Sequence, residues 1–242
     1  MSDRPKPPSL AQLMPFVHSG GGLWVTNLYH YAGILVAWVA ARVGMSPNGL
    51  TLTAAVLTTL GGILLLLAPT ITWPIAIASF ALLAVGYAMD CSDGQLARAT
   101  KSGSVLGAWL DHTVDAWKIV FLNACLGWLA ITQIEQSGLP LWAAYLAPHL
   151  SAGGTLLYFF GWNYKVQLAG KNTVGNQLGS SSSLKKILLL PLHLTDFGLF
   201  LFICFTLPFP KIFLITYLAF GAVTFPVFAA YLLLSAWALR KA

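Results

Sequence analysis

The chain has 242 residues, of which 57% are hydrophobic and only 8% charged, with a mean hydropathy of +0.76. Soluble domains carry about a quarter charged residues, so these values exclude an ordinary soluble globule and indicate an all-α integral membrane protein. The formal net charge of +6 does not point to nucleic acid, because the basic residues are not gathered on one soluble face.

In chain order, residues 1–20 are polar and bear prolines. They lack the basic start, apolar core and small-residue cleavage site of a signal peptide. Residues 23–43 are apolar but interrupted by Asn27, His30 and Arg42. They read as a juxtamembrane helix lying partly in the interface, with a seventh span as the alternative. The first clear span is Pro47–Leu67, with Ser46 as N-cap and Pro47 as the first helical residue. Further apolar runs cover residues 73–98, 105–132, 139–164, 187–207 and 212–239, with Pro208 and Pro210 bracketing the last turn. Each run meets the roughly 20 residues needed to cross a bilayer. The division is therefore residues 1–45, a cytosolic N-terminus and juxtamembrane helix, and residues 46–242, a six-helix transmembrane unit.

Six spans place both termini on one side. On that side fall Arg4, Lys6, Arg42, Arg98, Lys101, Lys165, Lys171, Lys185, Lys186, Arg240 and Lys241, eleven of the thirteen basic residues. The opposite loops carry only Lys211, and Lys118 lies within the third span. This bias predicts cytosolic termini and a cytosolic turn at residues 98–104. Trp24, Trp73, Trp142 and Trp162 sit near the ends of apolar runs, as aromatic belts do. Cys91, Cys125 and Cys204 are scattered and read as buried free thiols. The polar segment 170–183 reads as a linker, or else as a lid over a substrate site. No internal repeat is visible, which gives no support to an inverted-repeat transporter.

Four of the seven carboxylates, Asp90, Asp93, Asp111 and Asp115, fall within one stretch of the second and third spans. A carboxylate in an apolar helix is costly unless a cation or partner satisfies it. Asp90 and Asp93 are three apart, and Asp111 and Asp115 four apart, so each pair shares a helical face. The turn between them predicts antiparallel helices and convergence at one depth. Asp90 lies about 12 Å from Arg98 along the helix, just inside the cytosolic boundary. Oxygen-only ligands favour Mg²⁺ or Mn²⁺ over zinc. Four carboxylates exceed the need of one ion, so two ions clamping a phosphoryl group fit the count better. Small residues at Gly94, Ala97 and Gly107 would admit a nucleotide, and Arg98 offers a donor fork to a diphosphate. A metal channel or transporter would spread its acids across the membrane depth, whereas these gather at one boundary.

The string Asp90-x2-Asp93-Gly94-x2-Ala97-Arg98-x8-Gly107-x3-Asp111-x3-Asp115 resembles the signature of the class I CDP-alcohol phosphotransferase (CDP-alcohol phosphatidyltransferase) family, with no departure at its eight positions. The segment Ser46-Pro47-Asn48-x2-Thr51 also resembles that family. The resemblance implies a six-helix membrane enzyme, commonly a homodimer, that transfers the phosphate-bearing group of a CDP-linked alcohol to a hydroxyl acceptor and releases CMP. It implies metal ligation by Asp90, Asp93 and Asp111, with Asp115 as a ligand or as the base. Gly94, Ala97, Arg98 and Gly107 would shape the CDP pocket.

The string Asp111-His112-x2-Asp115-Ala116 resembles the branch that carries CDP-choline or CDP-ethanolamine to a lipid hydroxyl, with His112 a candidate base. CDP-diacylglycerol with a polar head-group alcohol remains the alternative, and helix-start packing is the competing role for His112. Asn48 and Thr51 could contact the nucleotide, although capping explains Ser46 and Asn48 nearly as well. Lys118, three after Asp115, would pair with an Asp, touch a substrate phosphate or snorkel to the interface. Asp196, the one acid of the fifth span, is either functional or satisfied by Thr195 or His193. His18, His30 and His149 have no evident partner in the sequence.

Overall fold

The computed structural model describes residues 7–17, 24–169 and 195–240, and among these it contains helices, turns and no strand. A short helix α1 (Leu10–Leu13) opens the described chain. Ser9 caps it reciprocally with Gln12, the Ser9 side chain accepting from the Gln12 amide and the Gln12 side chain from the Ser9 amide. A 3-10 turn follows at Met14–Phe16. Helix α2 (Trp24–Val43) is continuous despite its polar interruptions. It ends at Gly44, whose positive φ of 75° lets the Met45 amide reach back to the Ala40 carbonyl at 2.9 Å.

Helix α3 (Pro47–Leu67) begins as its sequence predicts, with the Ser46 hydroxyl accepting the Gly49 amide at 3.1 Å and Pro47 at the first position. Helices α4 (Trp73–Ala99) and α5 (Val105–Thr132) follow. The turn between them is tight: the Ser102 amide reaches the Ala97 carbonyl at 3.0 Å, Lys101 takes φ 55°, and Ser104 caps α5 through the Gly107 amide at 3.0 Å. Beyond α5 come a single turn α6 (Ile134–Ser137), a long α7 (Leu141–Ala169) with Pro148 inside it, and a short α8 (Phe197–Phe200). Six residues of 3-10 helix, Leu201–Thr206, continue α8 before α9 (Pro210–Leu239).

Among the described residues, α3, α4, α5 and α9 are long and apolar enough to cross a membrane. The chain is thus an all-α membrane protein. The expected fourth span corresponds to α7, whose 29 residues suffice in length, but His149, Ser151, Thr155, Asn163 and Lys165 lower its hydropathy and it is not among the four. The described part of the expected fifth span is one α turn and a 3-10 stretch, not a regular helix, and its first residues, 187–194, lie outside the described chain. So do most of segment 170–183's neighbours and that segment itself, as do His18 and His193. The last helix starts at Pro210, two residues before the expected position, because proline is favoured at a first helical turn.

Packing explains where the site forms. Helices α2 and α3 both run along α4, α3 also contacts α5, and α5 contacts α7, which runs along α9. Close approach of α7 and α9 needs Gly154, where a Cβ would sit 2.8 Å from the backbone of Phe225. One core joins these layers through Leu65, Leu83, Leu122, Leu126, Ala147 and Tyr217. Within it the Tyr217 hydroxyl donates to Asn123 Oδ1 at 2.8 Å, so that polar pair is satisfied away from water. A smaller cluster ties α1 to the bundle, with Leu13 fully buried beside Ile34, Ala37 and Leu96. Outward faces carry exposed Leu52, Val56, Ile77, Val85, Val120 and Leu233, as suits a lipid solvent. Helices α4 and α5 both pack on α3, and α5 packs as well on α7; the site forms where α4 and α5 bring their aspartates together.

Candidate active site

The last turns of α4 and the first turns of α5 bring the four aspartates to that site. Asp90, Asp93 and Asp111 each present a carboxylate oxygen within 4.8 Å of the others. Octahedral Mg²⁺ or Mn²⁺ with bonds of about 2.1 Å separates its ligands by roughly 3 to 4 Å, so a small inward movement would make this trio a ligand set. The donors are all hard oxygens, which fits such an ion. A second grouping, Asp111, His112 and Asp115, also falls within 4.8 Å. The expected convergence of the two helix ends is therefore present.

Asp93 is the most constrained of the four, only 7% exposed. The buried Thr51 hydroxyl of α3 donates to its Oδ2, and the Gly94 amide donates to its Oδ1. The Thr51 hydroxyl also lies 3.2 Å from the Pro47 carbonyl; it has one proton, and the carboxylate is the stronger acceptor. Thr51, expected as a nucleotide contact, thus orients a metal-ligand candidate. Lys118 is nearly buried and does not snorkel: its ammonium bonds Asp90 Oδ1 on α4 and lies 2.8 Å from Asp115 Oδ1 on its own helix. His112 is half exposed, with Nδ1 3.9 Å from Asp111 Oδ2 and its ring edge-on to Phe159 at 5.9 Å.

Two chambers flank this centre. One, of about 490 Å³, is lined by Pro47, Asn48, Thr51, Ala97, Ser104 and Gly107. The absence of a side chain at Gly107 leaves room beside Asn48, because a Cβ there would lie 3.0 Å from Asn48 Oδ1. The other, of about 390 Å³, is lined by the aspartates and Lys118 together with His30, Tyr87, Cys91, Tyr158, Phe159 and Phe197. Asp93, Gly94, Arg98 and Asp111 border both. Arg98 folds back over Gly94, whose missing side chain leaves the room: a Cβ there would be 2.9 Å from Arg98 Nη1. All the sequence-predicted site residues other than His112 line one chamber or both, and His112 adjoins them through Asp111 and Phe159.

Asp196 is buried and holds partners on α2 and at the start of α8. Its Oδ2 accepts the Thr26 amide at 2.9 Å, and its Oδ1 accepts the Thr26 hydroxyl at 2.6 Å and the Gly198 amide at 2.8 Å. It therefore clasps α2 to the start of α8. His149 Nδ1 meets the Tyr145 carbonyl at 2.6 Å. The wall residues Tyr87, Thr155, Tyr158, Phe159 and Phe197 were not anticipated. Tyr87 stands three residues before Asp90 and so shares its face, a spacing that would have found it. Those on α7 and α8 carry no such signal.

Compared with known protein families, residues 44–239 match the family described as CDP-alcohol phosphatidyltransferase. Over 115 residues the chain is similar, at 33% identity, to Cholinephosphotransferase 1 of Xenopus laevis. That match takes in 45% of this chain and 28% of the relative, so the chain spans well under half the length of the curated protein it resembles.

Proposed function

The chain belongs to the CDP-alcohol phosphatidyltransferase family, and from that premise we propose that it is a membrane enzyme of phospholipid synthesis that transfers the phosphate-bearing group of a CDP-linked alcohol to a hydroxyl acceptor and releases CMP. The observation that carries this reading is the gathering of Asp90, Asp93, Asp111 and Asp115 between two chambers that share a wall. The chamber of Asn48, Ala97 and Gly107 takes the cytidine nucleotide, close to backbone that small residues leave open. Arg98, on the shared wall, meets the diphosphate with a planar donor fork. The aromatic chamber takes the acceptor, whose hydroxyl approaches the phosphorus that carries the alcohol.

In the transfer, a bond forms between the acceptor oxygen and that phosphorus as the bond to the CMP phosphate breaks. The acceptor proton passes to Asp115 or His112, and CMP leaves with the bonding electron pair. Mg²⁺ or Mn²⁺ held by Asp90, Asp93 and Asp111 would neutralise the diphosphate and stabilise the leaving phosphate. Thr51 and the Gly94 amide keep Asp93 turned toward that centre, as supporting donors do for metal-ligating carboxylates.

The favoured donor is a CDP-aminoalcohol and the acceptor a lipid hydroxyl. The Asp111-His112-x2-Asp115-Ala116 string and the likeness to a cholinephosphotransferase support this branch. In the same reading residues 46–242 form a six-helix catalytic unit, two copies associate as a homodimer, and the termini and active site face the cytosol, as the basic residues suggest. The test supplies purified protein and Mg²⁺ with either CDP-choline and dioleoylglycerol, or CDP-diacylglycerol and polar alcohols, and measures CMP. CMP from the first pair is expected. CMP from the second pair alone would move the chain to the phosphatidyl branch.

A further inference from the structure

His30 has no part in the chemistry proposed above, yet it lines the aromatic chamber together with Asp90, Cys91 and Tyr87. It comes from α2, which precedes residues 44–239, the part of the chain that matches the family. Three features fix it there. The fully buried Gln95 of α4 donates its Nε2 to the His30 carbonyl at 2.9 Å. Thr26, one turn earlier and on the same helical face, is held by Asp196, and its hydroxyl lies 3.1 Å from the Tyr87 hydroxyl. Gly33, three residues later, lets α2 lie close against α4: a Cβ there would be 3.1 Å from Cys91 Cβ and 3.2 Å from the Ala88 carbonyl oxygen. The register of α2 on α4 is thus set at the level of the chamber.

We infer that His30 is a specificity-determining residue for the acceptor: its imidazole hydrogen-bonds the polar end of the lipid alcohol, and α2 forms part of the acceptor site. This rests on the reading that the aromatic chamber takes the acceptor. Among the described residues lining it, α2 and α8 supply His30 and Phe197, and of these only the histidine can hydrogen-bond through its side chain. Neighbouring polar groups already have partners within the protein. The Tyr87 hydroxyl meets Thr26, the Thr155 hydroxyl donates to the Ser151 carbonyl at 2.8 Å, and Lys118 bonds Asp90 and Asp115. A pocket walled largely by aromatic carbon orients its ligand through the few polar groups placed in it. A neutral imidazole offers one donor and one acceptor, which suits a hydroxyl with an ester carbonyl beside it.

The experiment measures steady-state phospholipid formation by the purified full chain with Mg²⁺, varying dioleoylglycerol at saturating CDP-choline and then the reverse. His30→Phe keeps an aromatic ring and removes both nitrogens. It is expected to raise the KM for dioleoylglycerol about tenfold, the size of one lost hydrogen bond, with the KM for CDP-choline and the Mg²⁺ requirement unchanged. His30→Gln restores a donor and an acceptor and is expected to recover most of the acceptor affinity. A merely structural role would not separate the two KM values. His30→Leu, which is smaller, gives the same comparison where phenylalanine does not fit the fold. An unchanged KM for dioleoylglycerol in either folded variant would overturn the inference and leave the phosphotransfer reading standing. So would a rise confined to the KM for CDP-choline, which would assign His30 to the aminoalcohol. No phospholipid from wild-type protein and dioleoylglycerol would overturn the acceptor reading itself and this inference with it.

Discussion

Thr51→Val removes one hydroxyl and leaves the side-chain shape almost unchanged. Thr51 is 3% exposed and Asp93 7%, so water cannot replace the lost donor at Asp93 Oδ2. A hydrogen bond to a charged group is worth about 1.5 to 3 kcal/mol. A loss near 2 kcal/mol corresponds to roughly 30-fold, within the 10- to 100-fold range found when a supporting partner of a metal ligand is removed. The expected result is a roughly 30-fold rise in the Mn²⁺ concentration that gives half-maximal CMP release. The KM for nucleotide should change little at saturating metal. Thr51→Ser restores the hydroxyl and should recover most of the affinity. If Thr51→Val binds Mn²⁺ within threefold of wild type, Asp93 is not positioned by this bond. If its nucleotide KM rises while metal affinity holds, Thr51 is a nucleotide contact as first expected from the sequence.

Asp93→Asn should reduce transfer below a tenth of the wild-type rate in a protein that still folds, since it removes charge without changing volume; greater retained activity would count against a ligand role. His112→Ala should slow the reaction by roughly 10²-fold if it is the base, and a near-normal rate assigns the proton to Asp115. Asp196→Ala strips the buried partner from two amides and a hydroxyl, and should cost about 3 kcal/mol of stability. Its melting temperature should fall while metal binding per folded chain is kept; an unchanged melting temperature would show that the clasp between α2 and α8 contributes nothing.

The four aspartates were legible because helical spacing fixes which side chains share a face, and a charge in an apolar helix demands a partner. The start of α3 was equally plain, since Ser46 and Pro47 satisfy the two ordinary requirements of a helix N-terminus. What spacing could not give was contact between elements. Thr51 and Asp93 are 42 positions apart, and Thr26 and Asp196 are 170 apart, so no local pattern joins them. Lys118 illustrates the boundary between the two cases. Its pairing with Asp115 follows from an interval of three, but its reach to Asp90 depends on how α4 and α5 both lie on α3. The aromatic wall from α7 and α8 was hidden for a related reason: in a bilayer the same residue types serve on lipid-facing surfaces, and only tertiary packing separates the two uses.

The central claim is that a CDP-alcohol is cleaved and its phosphate-bearing group transferred at the aspartate centre. The most direct measurement follows both products at once, quantifying CMP and the newly formed phospholipid from CDP-choline and dioleoylglycerol with Mg²⁺, and then with excess chelator. The expected result is one phospholipid per CMP, with both lost on chelation. CMP formed without any phospholipid, or an equal rate of both in the chelator, would contradict the account.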